Sequence, residues 1–281
     1  MHILTIDLED WFHILDHPET EKAEQWEKFE SRIERNTERI LEALEERKLT
    51  ATFFVLGWVA EKYPNLIKLI SEKHEIACHS FSHRLLYEQN RDSFREDLKK
   101  CIGLLQNITG KKVITYRSPG FSLLREHSWV LEELVRNKIE IDASVFPAAR
   151  NHGGIPGFPY SSPCLIKGSN YLIKEFPMNT ISLLGRQIVF SGGGYFRLLP
   201  YSVIRHYMKK SDYVMTYFHP RDFDPQQPLL KSLPMKRRLM SYTGLKGSFQ
   251  KFTALLDEFK PISVAQADLL IDWTEVGVAQ F

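Results

Sequence analysis

Residues 76–84 read Ile-Ala-Cys-His-Ser-Phe-Ser-His-Arg and set His79 and His83 four positions apart, directly after an apolar run. Two imidazoles at that spacing are predicted to meet on one face of a helical turn. Neutral imidazole is the commonest protein ligand for zinc-like divalent ions, which makes the pair a candidate part of a metal site. The alternative is a pair on a solvated turn, and spacing alone does not separate the two. The apolar run itself predicts a strand over residues 75–80 that delivers the pair. Cys78, beside His79, falls on the opposite side of an extended chain and is expected to be buried filler.

Short β-branched runs alternate with helical stretches on both sides of this segment. Towards the N-terminus, residues 3–8 predict a buried strand that runs into a cluster of acids, Asp7, Glu9 and Asp10. Residues 21–48 are charged, with Trp26, Phe29, Ile33, Ile40 and Leu44 at helical spacing, and predict one or two surface helices. Residues 50–56 predict a second strand, closed by Gly57. A helix over 58–72 is interrupted at Tyr63-Pro64. Towards the C-terminus, a helix over 91–109 stops at Gly110. A strand over 113–116 ends in Arg117-Ser118-Pro119, a helix covers 126–137, and a strand over 139–145 contains Asp142. The segment 151–169 is rich in Gly, Pro and Ser and predicts a long loop. A strand follows at 171–176, and 187–190 leads into Gly192-Gly193-Gly194 and a helix from about Tyr201. A strand over 214–218 ends in His219-Pro220. The basic, proline-bearing stretch 222–241 predicts loop, 249–259 a helix, and 262–264 a last strand.

The chain has 281 residues, 43% of them hydrophobic, with 37 basic against 35 acidic residues and a net charge of +2. That length supports a large core, and the absence of any repeat or clear linker predicts one domain over residues 1–281. The charge balance gives no reason to expect a nucleic-acid partner. Three cysteines, Cys78, Cys101 and Cys164, are too few for a disulfide framework and fit a reducing compartment. The N-terminus lacks the pattern of a secretory signal, and no run approaches the roughly 20 apolar residues of a membrane span. A cytoplasmic protein is the expectation, with peripheral contact at a membrane surface left open.

Repeated βα units predict an α/β fold with a parallel sheet or a barrel. Asp7, His79, Arg117, Asp142 and His219 all fall at C-terminal ends of predicted strands, the edge where α/β folds bind ligands. Two neutral imidazoles and one carboxylate make a three-ligand metal site with an open position for water. Asp7, Glu9 and Asp10 offer the carboxylates, and a second carboxylate can act as base. His219 is a candidate acid, and Arg117 can hold a carboxylate in a fixed plane. These parts together describe metal-assisted hydrolysis of an amide or ester.

Thr5-Ile6-Asp7-Leu8-Glu9-Asp10-Trp11, Thr52-Phe53-Phe54-Val55, His79-Ser80-Phe81-Ser82-His83, Arg117-Ser118-Pro119 and Phe218-His219-Pro220 resemble, in order and spacing, the NodB-type polysaccharide deacetylases. The resemblance covers nearly the whole chain. The segments 7–13, 192–197 and 218–222 resemble the branch associated with exopolysaccharide biosynthesis. It implies a distorted (β/α) barrel of about seven strands and a bound divalent ion, zinc or similar. It also implies removal of an N-acetyl group from an acetamido sugar of a polysaccharide or glycan precursor. Residue by residue, it makes Asp7 the catalytic base, His79 and His83 metal ligands, Arg117 the residue that orients the base, and His219 the general acid.

The family has a second, metal-binding Asp directly after the base, where this chain has Leu8. The metal carboxylate is then Glu9 or Asp10, with Glu9 two residues from Asp7 and so on the same side of an extended strand. The aromatic residue usual after Pro119 is replaced by Gly120, which passes the wall of the groove to Phe121. Asp142 is a candidate to tune His219.

Other features are read more plainly. His2, His13, His17, His74, His127, His152 and His206 are expected to be structural or solvated, His13 being nearest the acids. Gly192 to Gly194 lack the Lys-Ser/Thr of a phosphate-binding loop and predict a close backbone approach at the barrel mouth. Lys231, Lys236, Arg237 and Arg238 predict a solvated face, with anionic lipid or pyrophosphate as alternative partners. Two rival functions stand beside N-deacetylation. One is a sugar deformylase or small-molecule amidase on the same scaffold, and the other is a non-catalytic glycan-binding protein.

Overall fold

A computed structural model of the chain describes residues 1–15, 17–150, 152–183, 186–230 and 232–281. Three strands set the frame: β1 (Thr5–Leu8), β2 (Thr52–Val55) and β3 (Glu75–Cys78). They are nearly continuous apolar or β-branched runs, as parallel strands covered on both faces require. Their register sets Asp7 opposite Phe54 and Phe54 opposite Ala77. Because side chains alternate along a strand, these three share the inner face. Ile6, Leu8, Phe53, Val55, Ile76 and Cys78 face outward and pack in one buried cluster with helix residues such as Ile40 and Leu98. Cys78 is the buried filler expected. Phe54 and Ala77 instead join Ile141, Phe176 and Met215 in a second cluster inside the sheet.

Strands β4 (Thr115–Tyr116), β5 (Ile141–Asp142) and β6 (Leu172–Glu175) continue the parallel order. On the other side, β7 (Val214–Met215) pairs in parallel with His2–Ile3, and its continuation bridges β1 at Ile6 and Phe218. The Asp7 N–H donates to the Phe218 carbonyl at 2.7 Å. Between β7 and β6 no ladder forms among the described residues. There the Met215 N–H donates to Asn179 Oδ1 at 3.2 Å and the Tyr213 hydroxyl to the Pro177 carbonyl at 2.9 Å. The result is a distorted β/α barrel whose ring is completed by side chains at one seam. Outside the ring, Cys164–Lys167 pairs antiparallel with β6, and Val278–Gln280 lies parallel beside it, making the main sheet eight-stranded.

Local signals start and stop the helices. Asn90 caps Arg91–Thr109 by accepting from the Asp92 and Ser93 N–H groups, and Gly110, at φ 68°, ends it in the left-handed conformation. Pro64 divides Gly57–Lys62 from Pro64–Lys73. Among the described residues, no helix is long and apolar enough to cross a membrane.

Three expectations fail. The predicted loop 151–169 contains the strand Cys164–Lys167, whose hairpin turn is closed by the Gly168 N–H donating to the Tyr171 carbonyl; Asn151 lies outside the described residues. The predicted loop 222–241 contains the helix Met235–Tyr242, because Pro234 stands at the helix start and not inside it. The predicted strand 262–264 is one bridge, Ile3 to Ile262, followed by a helix, Val264–Leu270. Ser263 caps that helix by accepting from the Gln266 N–H, a Ser-x-x-Gln capping signal that the apolar neighbours hide.

Candidate active site

The His pair does not sit on a helical turn. β3 ends at Cys78, and the chain then kinks, with Ser80 at φ 62° and His83 at φ 56°. Asp97, from the helix Arg91–Thr109, holds the kink: its carboxylate accepts from the Phe81 N–H at 2.7 Å, the Ser82 N–H at 3.0 Å and the Ser82 hydroxyl at 2.5 Å. The Gly57 and Trp58 N–H groups donate to the Ser80 and Phe81 carbonyls from the other side. This loop brings both imidazoles to one carboxylate. His79 Nε2 and His83 Nε2 each lie 3.0 Å from Glu9 Oε1, and all three side chains are buried.

Glu9 reaches this point because the chain turns at once after β1, with the Glu9 N–H donating to the Asp7 carbonyl at 2.9 Å. Burial pushes the Glu9 carboxyl pKa up, but the imidazoles of His83, His219 and His79 outweigh it and hold it well below the usual range. For His79, burial pushes the pKa down, while Glu9 and Asp7 pull it above the ordinary value. Glu9, His79 and His83 offer ligand atoms within 4.8 Å of one another. The Nδ1 atom of His79 is 2.8 Å from the Arg117 carbonyl, which fixes the proton there and turns the Nε2 lone pair inward. Two imidazoles and a carboxylate so arranged fit a catalytic divalent ion with an open position.

Asp7 and Arg117 form the next layer. Arg117 is fully buried and donates from Nη1 to Asp7 Oδ1 at 2.6 Å and to Thr5 Oγ1 at 2.7 Å. Its Nε donates to the Ala143 carbonyl at 3.2 Å, and its guanidinium lies 3.9 Å from the centre of the Phe54 ring. Arg117 therefore fixes one oxygen of Asp7 and leaves Oδ2 towards the cavity, 4.0 Å from His219 Nε2. The bridge between Ile6 and Phe218 sets this spacing, since it fixes His219 beside the end of β1.

His219 is oriented by Asp222, whose Oδ2 accepts from the His219 N–H at 2.9 Å and lies 3.1 Å from Nδ1. Asp222 is anchored in turn by Arg197. Burial pushes the His219 pKa down against the pull of Glu9 and Asp7.

Two sequence-predicted residues lie elsewhere. The carboxylate of Asp10 accepts from the Trp11 N–H at 2.8 Å, the Ser31 hydroxyl at 2.5 Å and the Arg32 N–H at 3.0 Å, so it secures the lead-in to the helix Ile33–Glu46 and does not join the imidazoles. Asp142 does not reach His219. It is buried in the barrel, in register with Glu175, and accepts from the Ser144 hydroxyl at 2.6 Å.

The cavity at this mouth, about 270 Å³, is lined by Asp7, Glu9, His83 and His219 and walled by Phe121 and Tyr217, with Phe121 in the place expected of it. Gly192 makes the close approach expected of the glycine run: a Cβ there would meet the Tyr217 carbonyl oxygen at 2.0 Å. His13 also lines the cavity. Its Nδ1 accepts from the Asp10 N–H at 3.0 Å, and its Nε2 is buried with no hydrogen-bond partner among the described residues. Asp97 and Asp222 escaped the sequence reading, and His13, singled out there as nearest the acids, was expected to be structural or solvated. Of the first two, only Asp222 left a signal, an acid three residues after His219 across a Pro-led turn.

A family model described as Polysaccharide deacetylase matches residues 17–136, and one described as Domain of unknown function (DUF3473) matches residues 143–268. A peptidoglycan-N-acetylglucosamine deacetylase of Bacillus cereus is 36% identical over 99 residues, 34% of this chain and 36% of that protein. The chain spans little more than a third of the length of the curated relatives it matches. In fold it is similar to a proposed polysaccharide deacetylase from Mycobacterium smegmatis, with a TM-score of 0.67 and 17% identity over 98% of this chain and 91% of that one. It is also similar to a CE4 family pseudoenzyme from Bacillus anthracis, with a TM-score of 0.52 and 14% identity over 100% of this chain and 69% of that one. At these identities the likeness is one of fold alone. The likeness to polysaccharide deacetylases is thus carried in sequence by residues 17–136, less than half of the chain, and beyond them by the fold.

Proposed function

We propose that this chain is a metal-dependent hydrolase that removes the N-acetyl group from an acetamido sugar of a polysaccharide or glycan precursor. The observation that carries the reading is the convergence of Glu9, His79 and His83 beside a cavity that Glu9 and His83 line together with Asp7 and His219. A divalent ion held by Glu9, His79 and His83, zinc in our reading, would polarise the acetyl oxygen and acidify a water. Asp7, with one oxygen fixed by Arg117, takes a proton from the water that adds to the acetyl carbon. His219, oriented by Asp222, gives a proton to the amide nitrogen as the C–N bond breaks. Acetate and the free amino sugar leave.

The exopolysaccharide branch remains part of this proposal on the strength of the segments 192–197 and 218–222. Three free, buried cysteines support a reducing, cytoplasmic setting. Peripheral membrane contact is supported by Met235 and Leu239, exposed one turn apart on a helix that also carries Arg237 and Arg238. Lys231, of the same basic run, lies outside the described residues. Co-sedimentation with anionic vesicles tests that contact separately.

The deciding experiment is elemental analysis of protein purified without added metal, followed by acetate and formate assays on acetamido and formamido sugars. Deacetylation predicts acetate release that chelation removes and a divalent ion restores. Formate release alone would make it a deformylase, and glycan binding with no acyl release would make it a binding protein.

A further inference from the structure

The rim of the candidate active site is cationic. Arg150, Arg221 and Arg237 line the same cavity as Asp7 and Glu9. Arg237 is engaged, its Nη2 donating to the Leu15 carbonyl at 2.6 Å. The other two differ. Arg150 Nη1 and Arg221 Nη2 are each shielded from solvent and meet no hydrogen-bond acceptor among the described residues.

The nearby carboxylates are committed to other partners: Glu9 to the two imidazoles, Asp7 to Arg117, and Asp10 to Ser31 and backbone N–H groups. Arg221 feels the fields of Glu9 and Asp10 but bonds to neither. Aromatic rings hold both guanidinium planes without using their N–H groups. Arg150 lies 4.4 Å from the Phe146 ring centre and 5.3 Å from that of Phe121, and Arg221 lies 5.9 Å from that of Tyr242. A charged donor that is buried and unpaired is costly, and arginine does not shed its proton to escape the cost. Two such donors, held by rings and lining one cavity, are set for a ligand with oxygens of opposite charge.

We propose that the substrate of this site is an acidic acetamido sugar, whose carboxylate or phosphate is bound by Arg150 and Arg221. The inference rests on the N-deacetylase reading above and adds the charge of the substrate to it. The Phe121 ring centre lies 5.1 Å from the Arg117 guanidinium and 5.3 Å from that of Arg150, so the anion subsite and the layer that holds the catalytic base share this ring.

Titration calorimetry on the metal-loaded protein tests this with three probes. These are a neutral N-acetylglucosamine tetramer, an oligomer containing N-acetylmuramic acid, and uridine diphosphate N-acetylglucosamine. The expected result is that the carboxylate or the diphosphate probe binds roughly tenfold or more tightly than the neutral one, the scale of one charge-assisted hydrogen bond. Whichever gains identifies the anion. Arg221→Gln and Arg150→Gln should each cut that ratio severalfold. Arg150 sits in a surface connection, so its variant decides the matter even if the Arg221 variant fails to fold. A neutral probe binding as tightly as both acidic ones, or a preference that survives both substitutions, overturns the inference. Acetate release is followed in parallel. Arg-dependent binding of an acidic sugar with no release from any probe would sink the deacetylase reading and leave the anion site standing. Release from the neutral probe with no acidic preference would do the reverse.

Discussion

The two ends of the chain build one cavity by different means. Up to β5 the chain supplies Glu9, His79, His83, Asp7 and Arg117 from the ends of a regular parallel ladder. After β5 it supplies His219, Asp222, Arg150 and Arg221 from irregular connections around one short strand. In the reaction we propose, the first group holds a metal ion and takes a proton, and the second gives a proton and reads the substrate's charge. The family match cuts across this division: residues 17–136 include both imidazoles and Arg117 but not Asp7, Glu9 or His219. Metal binding and acyl chemistry should therefore be separable by mutation.

The largest effect is expected at Glu9. Glu9→Gln removes the one carboxylate the imidazoles share, so metal content should fall from near one ion per chain to near none, and turnover with it. Elemental analysis after gel filtration checks this, and full metal content in the variant would point to another carboxylate. Next come Asp7→Asn and His219→Asn, one from each side of the division. Each should lower kcat by about 10²–10⁴, the usual weight of a positioned acid or base. Both variants should keep their metal. A wild-type rate in Asp7→Asn would remove it as the base.

A smaller effect tests the ladder side alone. Asp97 holds the kinked loop between His79 and His83 without lining the cavity. Asp97→Asn keeps the shape but loses the charge that three donors share. Metal affinity should weaken about 10- to 100-fold, as when a supporting partner of a metal ligand is lost. Competition with a chromogenic chelator measures it. Unchanged affinity would mean that the strand and backbone bonds suffice to hold the kink.

The same division explains what could be read from residues alone. On the ladder side, the site is carried by strand ends, and strand ends show in sequence as apolar runs that stop at a polar residue. His79, Asp7 and Arg117 were legible in that way, and His83 by its spacing from His79. The choice between Glu9 and Asp10 was not, because it depends on a turn fixed by one backbone bond, Glu9 N–H to the Asp7 carbonyl. On the other side, the helix Met235–Tyr242 and the strand Cys164–Lys167 hid among prolines and glycines that read as loop. Arg150 and Arg221 were given no role from sequence; burial, and the lack of an acceptor among the described residues, sets them apart. Asp142 stood at the end of a strand as the reading required, but its partner is Glu175, a residue that nothing in sequence links to it.

That pair, at the junction of the two regions, gives the smallest test. Asp142 Oδ2 and Glu175 Oε2 are both buried and meet no N–H or hydroxyl donor among the described residues, while Ser144 and the Val145 N–H serve the other two oxygens. Two carboxylates in register with no donor between them need a proton. Burial, with Asp142 beside it, pushes the Glu175 pKa well above the ordinary carboxyl value, and burial raises Asp142 as well. A carboxyl whose pKa is raised on folding binds more protons in the folded chain than in the unfolded one. Its contribution is therefore fully present below the unfolded pKa and lost as pH rises towards the folded pKa. Glu175→Gln supplies a permanent N–H donor to Asp142 and removes that proton from the balance. As pH rises above about 5, past the ordinary carboxyl range, its Tm should fall less than the parent's, by ~2–4 °C for each 1 kcal/mol spared. Metal content and turnover should not change, since neither residue lines the cavity. Parallel Tm profiles would show that the shared proton does not govern alkaline stability, whereas a loss of turnover would tie the pair to Arg117 and blur the line between the two regions.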